Sequence, residues 1–433
     1  MQPAPRPRSG AGPRTSGPWS GIPWSWWLLG VAVLLLGVGP VLVPDLDVAA
    51  WRRNVDLEVY RAAGQSLLQG RSLYDYVTDV PNLLPFTYPP FAAVVAVPLA
   101  MVPFGVAQGA WVVVQVALMV LVTAISARPL LARCGDAAPV ALAALTTAGC
   151  WTLPVDDGLY FGQVGVALTA LCLVDVTRRG RWVPGSLVGA AAAIKLTPAL
   201  FAVFYVLAGR LREARGAVVS AVVLTVGTAL VVPHATFVYW GQAFFDSSRI
   251  GSTSIAYNGS IIGAAARLGP SGTGGHLLWG VIGTAVTAYG LWLAAKLSRA
   301  GEQVLAVAVV GLLTVLVSPI AWLHHMVWVV PAMLGLVGDG RARLRTAAGV
   351  AVWLLYCAPL ELPWRAGRWM YAGAAPLPLE RLAQSSFSAG AVLIFVAVHV
   401  LVLRGGTRPA PDRDGQAAPV DEAEQGLALS EHH

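Results

Sequence analysis

Two acids, Asp56 and Glu58, fall in the stretch "WRRNVDLEVYRAAGQSLLQGRSLYDYV" (51–77), which holds three acids and four arginines directly after a long apolar run. A carboxylate fixed near a reacting hydroxyl can accept its proton as a new bond forms. Far along the chain are groups suited to the opposite task of holding an anion. Lys195 interrupts "AAAAIKLTPALF", His324 and His325 sit in "SPIAWLHHMVWVVP", and Asn258 and Arg267 lie in "YNGSIIGAAARLG". Cations and N–H donors of this kind stabilise charge that develops on a departing phosphate. If one fold brings them to the same place as Asp56, the chain holds both halves of a group-transfer site.

The elements that would position them are set by composition. The 433 residues are 56% hydrophobic and 12% charged, with a mean hydropathy of +0.66. A water-soluble exterior needs more polar surface than that, so the expected class is all-α: a polytopic integral membrane protein, its apolar runs separated by short basic connectors. The sixteen Trp fit headgroup-level anchors. The net charge of +7 is confined to connectors and tails, which reads as topology and leaves no basic face for a nucleic acid. Cys134, Cys150, Cys172 and Cys357 show no C-x-x-C spacing and read as small buried hydrophobes.

Residues 1–22, rich in Pro, Gly, Ser and Arg, read as a disordered cytoplasmic arm; 23–403 as the membrane domain, with an outer catalytic loop at 44–90; and 404–433 as a disordered cytoplasmic tail. Basic residues mark the cytoplasmic side. Arg128 and Arg133, Arg178 to Arg181, Arg210 to Arg215, Lys296 and Arg299, Arg341 to Arg345, and Arg404 with Arg408 can all lie inside at once. The segments 44–90, 154–161, 236–275, 318–325 and 361–385 then lie outside, in a plasma membrane, with both termini cytoplasmic. The run between Arg181 and Arg210 is too short to cross twice at about 20 residues per span. Two half-helices meeting near Lys195 to Pro198 resolve this and put Lys195 at the tip of a re-entrant hairpin. Residues 91–102 read as another half-helix, and the total as roughly ten full spans plus these pieces.

Each site residue also has a plainer reading. From the residues alone, an ion pair of Asp56 with Arg52, Arg53 or Arg61 is the simpler account, and Glu58 faces elsewhere if the stretch is helical. Lys195 could snorkel. Adjacent histidines cannot both face one site on a helix, so His324 is preferred over His325. Tyr60, Tyr74 and Tyr88 could stack on a sugar or simply form a loop core. Trp322 flanks the histidines, Gly162-Gln163 reads as helix packing unless a pocket reaches it, and Asp156-Asp157 as a solvated turn, with acceptor binding as the alternative. Asp45-x-Asp47 has no nucleotide-binding βαβ pattern after it, and no metal-binding motif is present, so no metal or other cofactor is expected. A transporter is the rival class, since intramembrane charges suit it, but the chain lacks two similar halves. A non-catalytic scaffold would not need an acid and cations on one face.

Taken in order, "VDLEVYRAAGQSLLQGRSLYD", "FTYPPFAAVVAVPLAMVPF", "YFGQVGVAL", "IKLTPALF" and "SPIAWLHHMVW" resemble the bacterial polyprenol-phosphate-mannose-dependent α-1,2-mannosyltransferases of the C-type glycosyltransferase superfamily, from about residue 24 to 345. The likeness is greatest to enzymes that extend phosphatidylinositol mannosides; enzymes that branch lipomannan share the motifs. It implies a C-type fold and an inverting transfer of mannose from polyprenyl-phosphate mannose to a lipid-anchored mannoside on the outer face. Phosphatidylinositol mannoside or lipomannan would be the acceptor. It also implies Asp56 as the catalytic base, with Lys195, Arg267, His324 and His325 at the donor phosphate. Glu58, Tyr60, Tyr88, Asn258 and Trp322 are the expected further substrate contacts.

Overall fold

The computed structural model describes residues 19, 21–46, 53–79, 83–177, 183–246, 249, 258–269, 273–357, 381 and 384–405. The terminal arm and most of the tail, Asp47, Arg52, the Arg178 to Arg181 connector and most of the 361–385 segment lie outside the described residues. Among the described residues every regular element is helical: α1 (Trp24–Leu46), α2 (Val55–Leu68), α3 (Pro90–Ala100), α4 (Phe104–Ser126), α5 (Arg128–Leu131), α6 (Ala138–Cys150), α7 (Leu153–Phe161), α8 (Gly165–Thr177), α9 (Ser186–Ile194), α10 (Leu200–Leu207), α11 (Leu211–Val231), α12 (Pro233–Gly241), α13 (Ile261–Leu268), α14 (Thr273–Arg299), α15 (Gln303–Leu316), α16 (Val329–Val337), α17 (Arg343–Tyr356) and α18 (Ser386–Val398), with a few short 3-10 turns.

Five of these helices are long and apolar enough to cross a bilayer, or six if the pair α7–α8, bent by 119°, counts as one span. The expected ten full spans are therefore not reached among the described residues. Several runs counted as spans are shorter helices held inside the bundle. The clearest is α15, in which every residue from Leu305 to Leu316 is buried. A helix that is apolar all round is a core helix, and with neighbours on every side it need not match the full lipid thickness. By contrast α11 turns Val218, Val219, Val222, Val223, Val226 and Leu230 outward. In a bilayer that face meets lipid tails at no cost.

The basic connectors gather at one end of the bundle. Arg210 forms an ion pair with Glu213 at 3.0 Å, and donates to the Val176 carbonyl and to Gln303. Arg345 pairs with Glu302, Arg133 donates to the Asp339 carbonyl, and Arg299 donates to the Leu207 carbonyl. From Gln303 at this end, α15 runs about 17 Å to Thr314, which lines a cavity at the opposite end.

The hairpin anticipated around Lys195 is present. α9 starts at the basic end, breaks at Lys195 where the backbone is extended (φ −144°, ψ 127°), and α10 returns to Leu207. Its first turn is held from outside. The Asp175 carboxylate accepts from the N–H groups of Gly185, Leu187 and Val188 at 2.8–2.9 Å, and from the Tyr205 hydroxyl. Those N–H groups would otherwise be orphans, and the helix dipole favours the anion there. Gly185 (φ +87°) and Gly216 let α9 and α11 touch: a Cβ on Gly185 would sit 1.9 Å from the Glu213 carbonyl oxygen.

Asp175→Ala should therefore loosen the hairpin without touching the cavity. Losing charge-assisted hydrogen bonds to buried N–H groups costs about 2–4 kcal/mol. The expected result is a lower unfolding temperature in detergent together with reduced activity, and Asp175→Asn should fall between the two.

Candidate active site

The Lys195 end of the hairpin opens into a cavity of about 610 Å³, lined among others by Asp56, Tyr88, Gln163, Lys195, Trp322, His324 and His325. Six chain segments meet there, one of them carrying Tyr239, Phe244, Asp246 and Arg249. Asp56 comes from the first turn of α2, Tyr88 from the loop before α3, Gln163 from the α7–α8 break, Lys195 from the hairpin, and the histidines from the stretch after α15.

Local geometry explains each placement. α2 is docked on the α7–α8 break: the Asn54 N–H donates to the Tyr160 carbonyl at 2.9 Å. Gly162 turns beneath it at φ +74°, where a Cβ would lie 2.8 Å from the Leu57 Cβ. That contact sets the next residue, Gln163, beside Asp56. The Tyr60 hydroxyl donates to Gln163 Oε1 at 3.1 Å, and the Gln163 side chain hydrogen-bonds the Asp56 carboxyl. Tyr60 and Tyr88 share a 3.0 Å hydroxyl contact, and Tyr74 donates to the Tyr88 carbonyl. The tyrosines thus form a buried prop under the α2 end, with Tyr88 reaching the cavity.

On the facing wall Lys195 Nζ lies 2.8 Å from His325 Nε2 and 5.2 Å from the Tyr88 ring centroid. His324 Nδ1 is 2.8 Å from Asp157 Oδ2. Both histidines line the cavity because they sit in a 3-10 turn (Leu323–Trp328) after extended Trp322 rather than within a regular α-helix. The segment is braced from behind. Asn258 donates to the Pro319 carbonyl and its Oδ1 accepts from the Ala321 N–H, while Arg267 donates to the Asn258 carbonyl and to Ser385.

The expected site residues thus divide into two groups. Asp56, Tyr88, Lys195, Trp322, His324 and His325 share the cavity. Arg267, expected at a phosphate, and Asn258 lie behind its wall, where they hold the loop that carries the histidines; Arg267 is 7% exposed. Glu58 and Tyr60 are also absent from the lining. The simple ion-pair account of Asp56 finds no support from Arg61, whose guanidinium donates to the Val102 carbonyl. Two residues were underrated. Gln163 borders the cavity, and Asp157 is a part-buried partner of His324 with 12% side-chain exposure, not a solvated turn. Only the position of Gln163 beside a helix break hinted at this; nothing local ties Asp157 to a histidine far along the chain.

The Asp56 carboxyl is held above the usual carboxylate range. Burial dominates, His324, the Gln163 hydrogen bond and Lys195 oppose it, and Asp157 adds to it. A carboxylate so placed is a better proton acceptor than a free one.

The same shift predicts a stability signature. A carboxyl that binds its proton more tightly folded than unfolded adds stability at low pH, and this is lost as pH rises through its raised folded value. At pH 7 Asp56 therefore disfavours the fold. Asp56→Asn should melt at the same or a higher temperature than the parent at pH 7, the difference shrinking as pH falls just above the ordinary carboxylate range. A variant that melts well below the parent would mean that the charge stabilises the fold.

Comparison with known proteins identifies the family. Residues 86–319 match "Glycosyltransferase family 87". The chain is 37% identical over 341 residues to the polyprenol-phosphate-mannose-dependent alpha-(1-2)-phosphatidylinositol pentamannoside mannosyltransferase of Mycobacterium tuberculosis (strain CDC 1551 / Oshkosh), covering 77% of this chain and 78% of that protein. It is 37% identical over 347 residues to the protein of the same name from Mycolicibacterium smegmatis, with 78% and 81% covered. It is 32% identical over 369 residues to a second M. tuberculosis protein, the polyprenol-phosphate-mannose-dependent alpha-(1-2)-phosphatidylinositol mannoside mannosyltransferase of strain H37Rv, with 78% and 82% covered. Among solved structures, ArnT from Cupriavidus metallidurans in the apo state aligns over 88% of this chain and 78% of its own at 18% identity and a TM-score of 0.42. By these matches over most of its length, this helical membrane protein belongs to glycosyltransferase family 87.

Proposed function

We propose that the protein transfers mannose, with inversion, from polyprenyl-phosphate mannose to a phosphatidylinositol mannoside, making an α-1,2 linkage. The observation that carries this reading is one cavity in which Asp56, steadied by Gln163, shares the lining with Lys195, His324 and His325. The names of relatives that are 32–37% identical supply donor and acceptor. Asp56 takes the proton of the acceptor hydroxyl as its oxygen attacks the anomeric carbon. The bond from that carbon to the phosphate oxygen breaks on the opposite face, and polyprenyl phosphate leaves with one more negative charge. Lys195 and His324 oppose that charge, with His325 hydrogen-bonded to Lys195, and electrostatic help of this kind counts most away from bulk water. A phosphate is already a good leaving group, so this reading needs no metal or other cofactor.

Purified enzyme in lipid should transfer mannose from polyprenyl-phosphate mannose without any nucleotide sugar. Asp56→Asn should lose about two to four orders of magnitude in rate, and Glu58→Gln, outside the cavity, much less. Dependence on a nucleotide sugar would sink the donor assignment. Extension of lipomannan in place of phosphatidylinositol mannoside would move the acceptor alone.

We further place the cavity on the outer face of the plasma membrane and both termini in the cytoplasm. The support is the gathering of basic connectors at the opposite end, read with the excess of Lys and Arg found on cytoplasmic loops. On a background lacking the native cysteines, a cysteine at Asp75, beside the cavity end, should react with an impermeant thiol reagent in intact spheroplasts. One at Arg212 should stay silent. The reverse pattern would turn the enzyme over.

A further inference from the structure

His324 is the most enclosed of the cavity-lining cations, at 4% exposure. Its ring is packed edge-on against Phe161 at 5.8 Å and lies nearly parallel to Trp322 at 6.5 Å. Its two nitrogens differ completely. Nδ1 is held at 2.8 Å by Asp157 Oδ2, while Nε2 is buried and has no hydrogen-bond partner among the described residues. A buried, unpartnered ring nitrogen costs free energy unless a ligand completes it. A carboxylate on Nδ1 fixes the proton there and turns Nε2 into the free end.

Asp157 comes from α7, an element that supplies no base to the cavity. We propose that Asp157 is the positioning residue that aims His324 Nε2 at the phosphodiester of the lipid donor and gives the ring the counter-charge it needs to bind that anion as imidazolium. The inference rests on the phosphate-linked donor put forward under Proposed function. The titratable groups facing His324 come from every side: Asp157 on α7, Asp56 on α2, Lys195 at the hairpin break and His325 next in sequence. His325, whose Nδ1 accepts from the Trp322 N–H, is a neutral ring, while Lys195 disfavours a second positive charge near it. Asp56 offsets that only while it is ionised, and in the proposed reaction it takes up a proton. Asp157 lies outside the reacting set and is offered no proton in the proposed step. A short carboxylate contact to a ring nitrogen favours the protonated ring.

The test is binding of a polyprenyl methyl phosphodiester, whose single charge does not titrate in the range used, to purified protein in nanodiscs between pH 5.5 and 8.5. Binding by the parent should weaken as the ring loses its proton. Asp157→Asn keeps a hydrogen-bond acceptor for Nδ1 and removes only the charge. It should bind within about twofold of the parent at pH 5.5 and about tenfold more weakly at pH 8, its decline displaced by about one pH unit. His324→Gln should bind weakly and lose the part of this pH dependence below pH 7, where Lys195 keeps its charge in both proteins. The proposal is overturned if Asp157→Asn superimposes on the parent, if it is weaker by the same factor at every pH, or if the parent does not bind. Should Asp157→Asn fail to fold, the parent against His324→Gln still decides: equal pH dependence below pH 7 in both removes His324 from the phosphate, and loss of it in the variant supports the proposal. Parent protein that binds the probe as described yet transfers no mannose would contradict the donor reading and leave this inference standing.

Discussion

A lysine inside an apolar bundle is the constraint around which this structure is arranged. An ammonium group away from water needs partners or it is neutralised, and Lys195 is placed where it has them: His325 Nε2 at 2.8 Å and the face of Tyr88. Reaching that position requires a chain that enters the bundle, stops and returns. The hairpin is stable only because its first turn is capped by Asp175 at the far end and packed on α11 through glycines that leave no room for a side chain. Backbone irregularity at this depth is tolerable where it borders a cavity, and here the break does so.

The opposing wall obeys a complementary rule. Asp56 faces the cations, but the hydrogen bond that steadies it comes from neutral Gln163, and no ion pair with it is found among the described residues. A tight Asp–Lys pair would satisfy both charges and leave neither free. Separating them across a cavity keeps the carboxylate available for a proton and the cations available for an anion. The tyrosine prop of Tyr60, Tyr74 and Tyr88 and the Asn258–Arg267 brace keep the two walls apart.

Much of this was legible in the sequence. The run between Arg181 and Arg210 could not cross twice, and that length alone located the break at Lys195. The alternation of basic connectors foretold which segments share an end, and the Ser318-Pro319 breaker marked where α15 stops before the histidines. What failed to show was which side of a wall a residue occupies. Arg267 and Asn258 have the chemistry of an anion site but are consumed by backbone carbonyls and by Ser385, a matter of packing between distant segments. Asp157 gave the opposite error, because an acid beside another acid looks solvated until a partner from 167 residues away is brought against it. Span number is less legible for a related reason: burial inside protein lets a helix such as α15 be shorter than the bilayer, so length alone does not decide it.

The most direct test of the account is a cryo-electron-microscopy structure of Asp56→Asn with polyprenyl-phosphate mannose and a phosphatidylinositol mannoside bound together. The account predicts the donor phosphate within hydrogen-bonding distance of Lys195 Nζ and His324 Nε2, and an acceptor hydroxyl facing residue 56 across the anomeric carbon. A phosphate seated away from Lys195 and His324, or an acceptor hydroxyl whose nearest acid is not at residue 56, would contradict it.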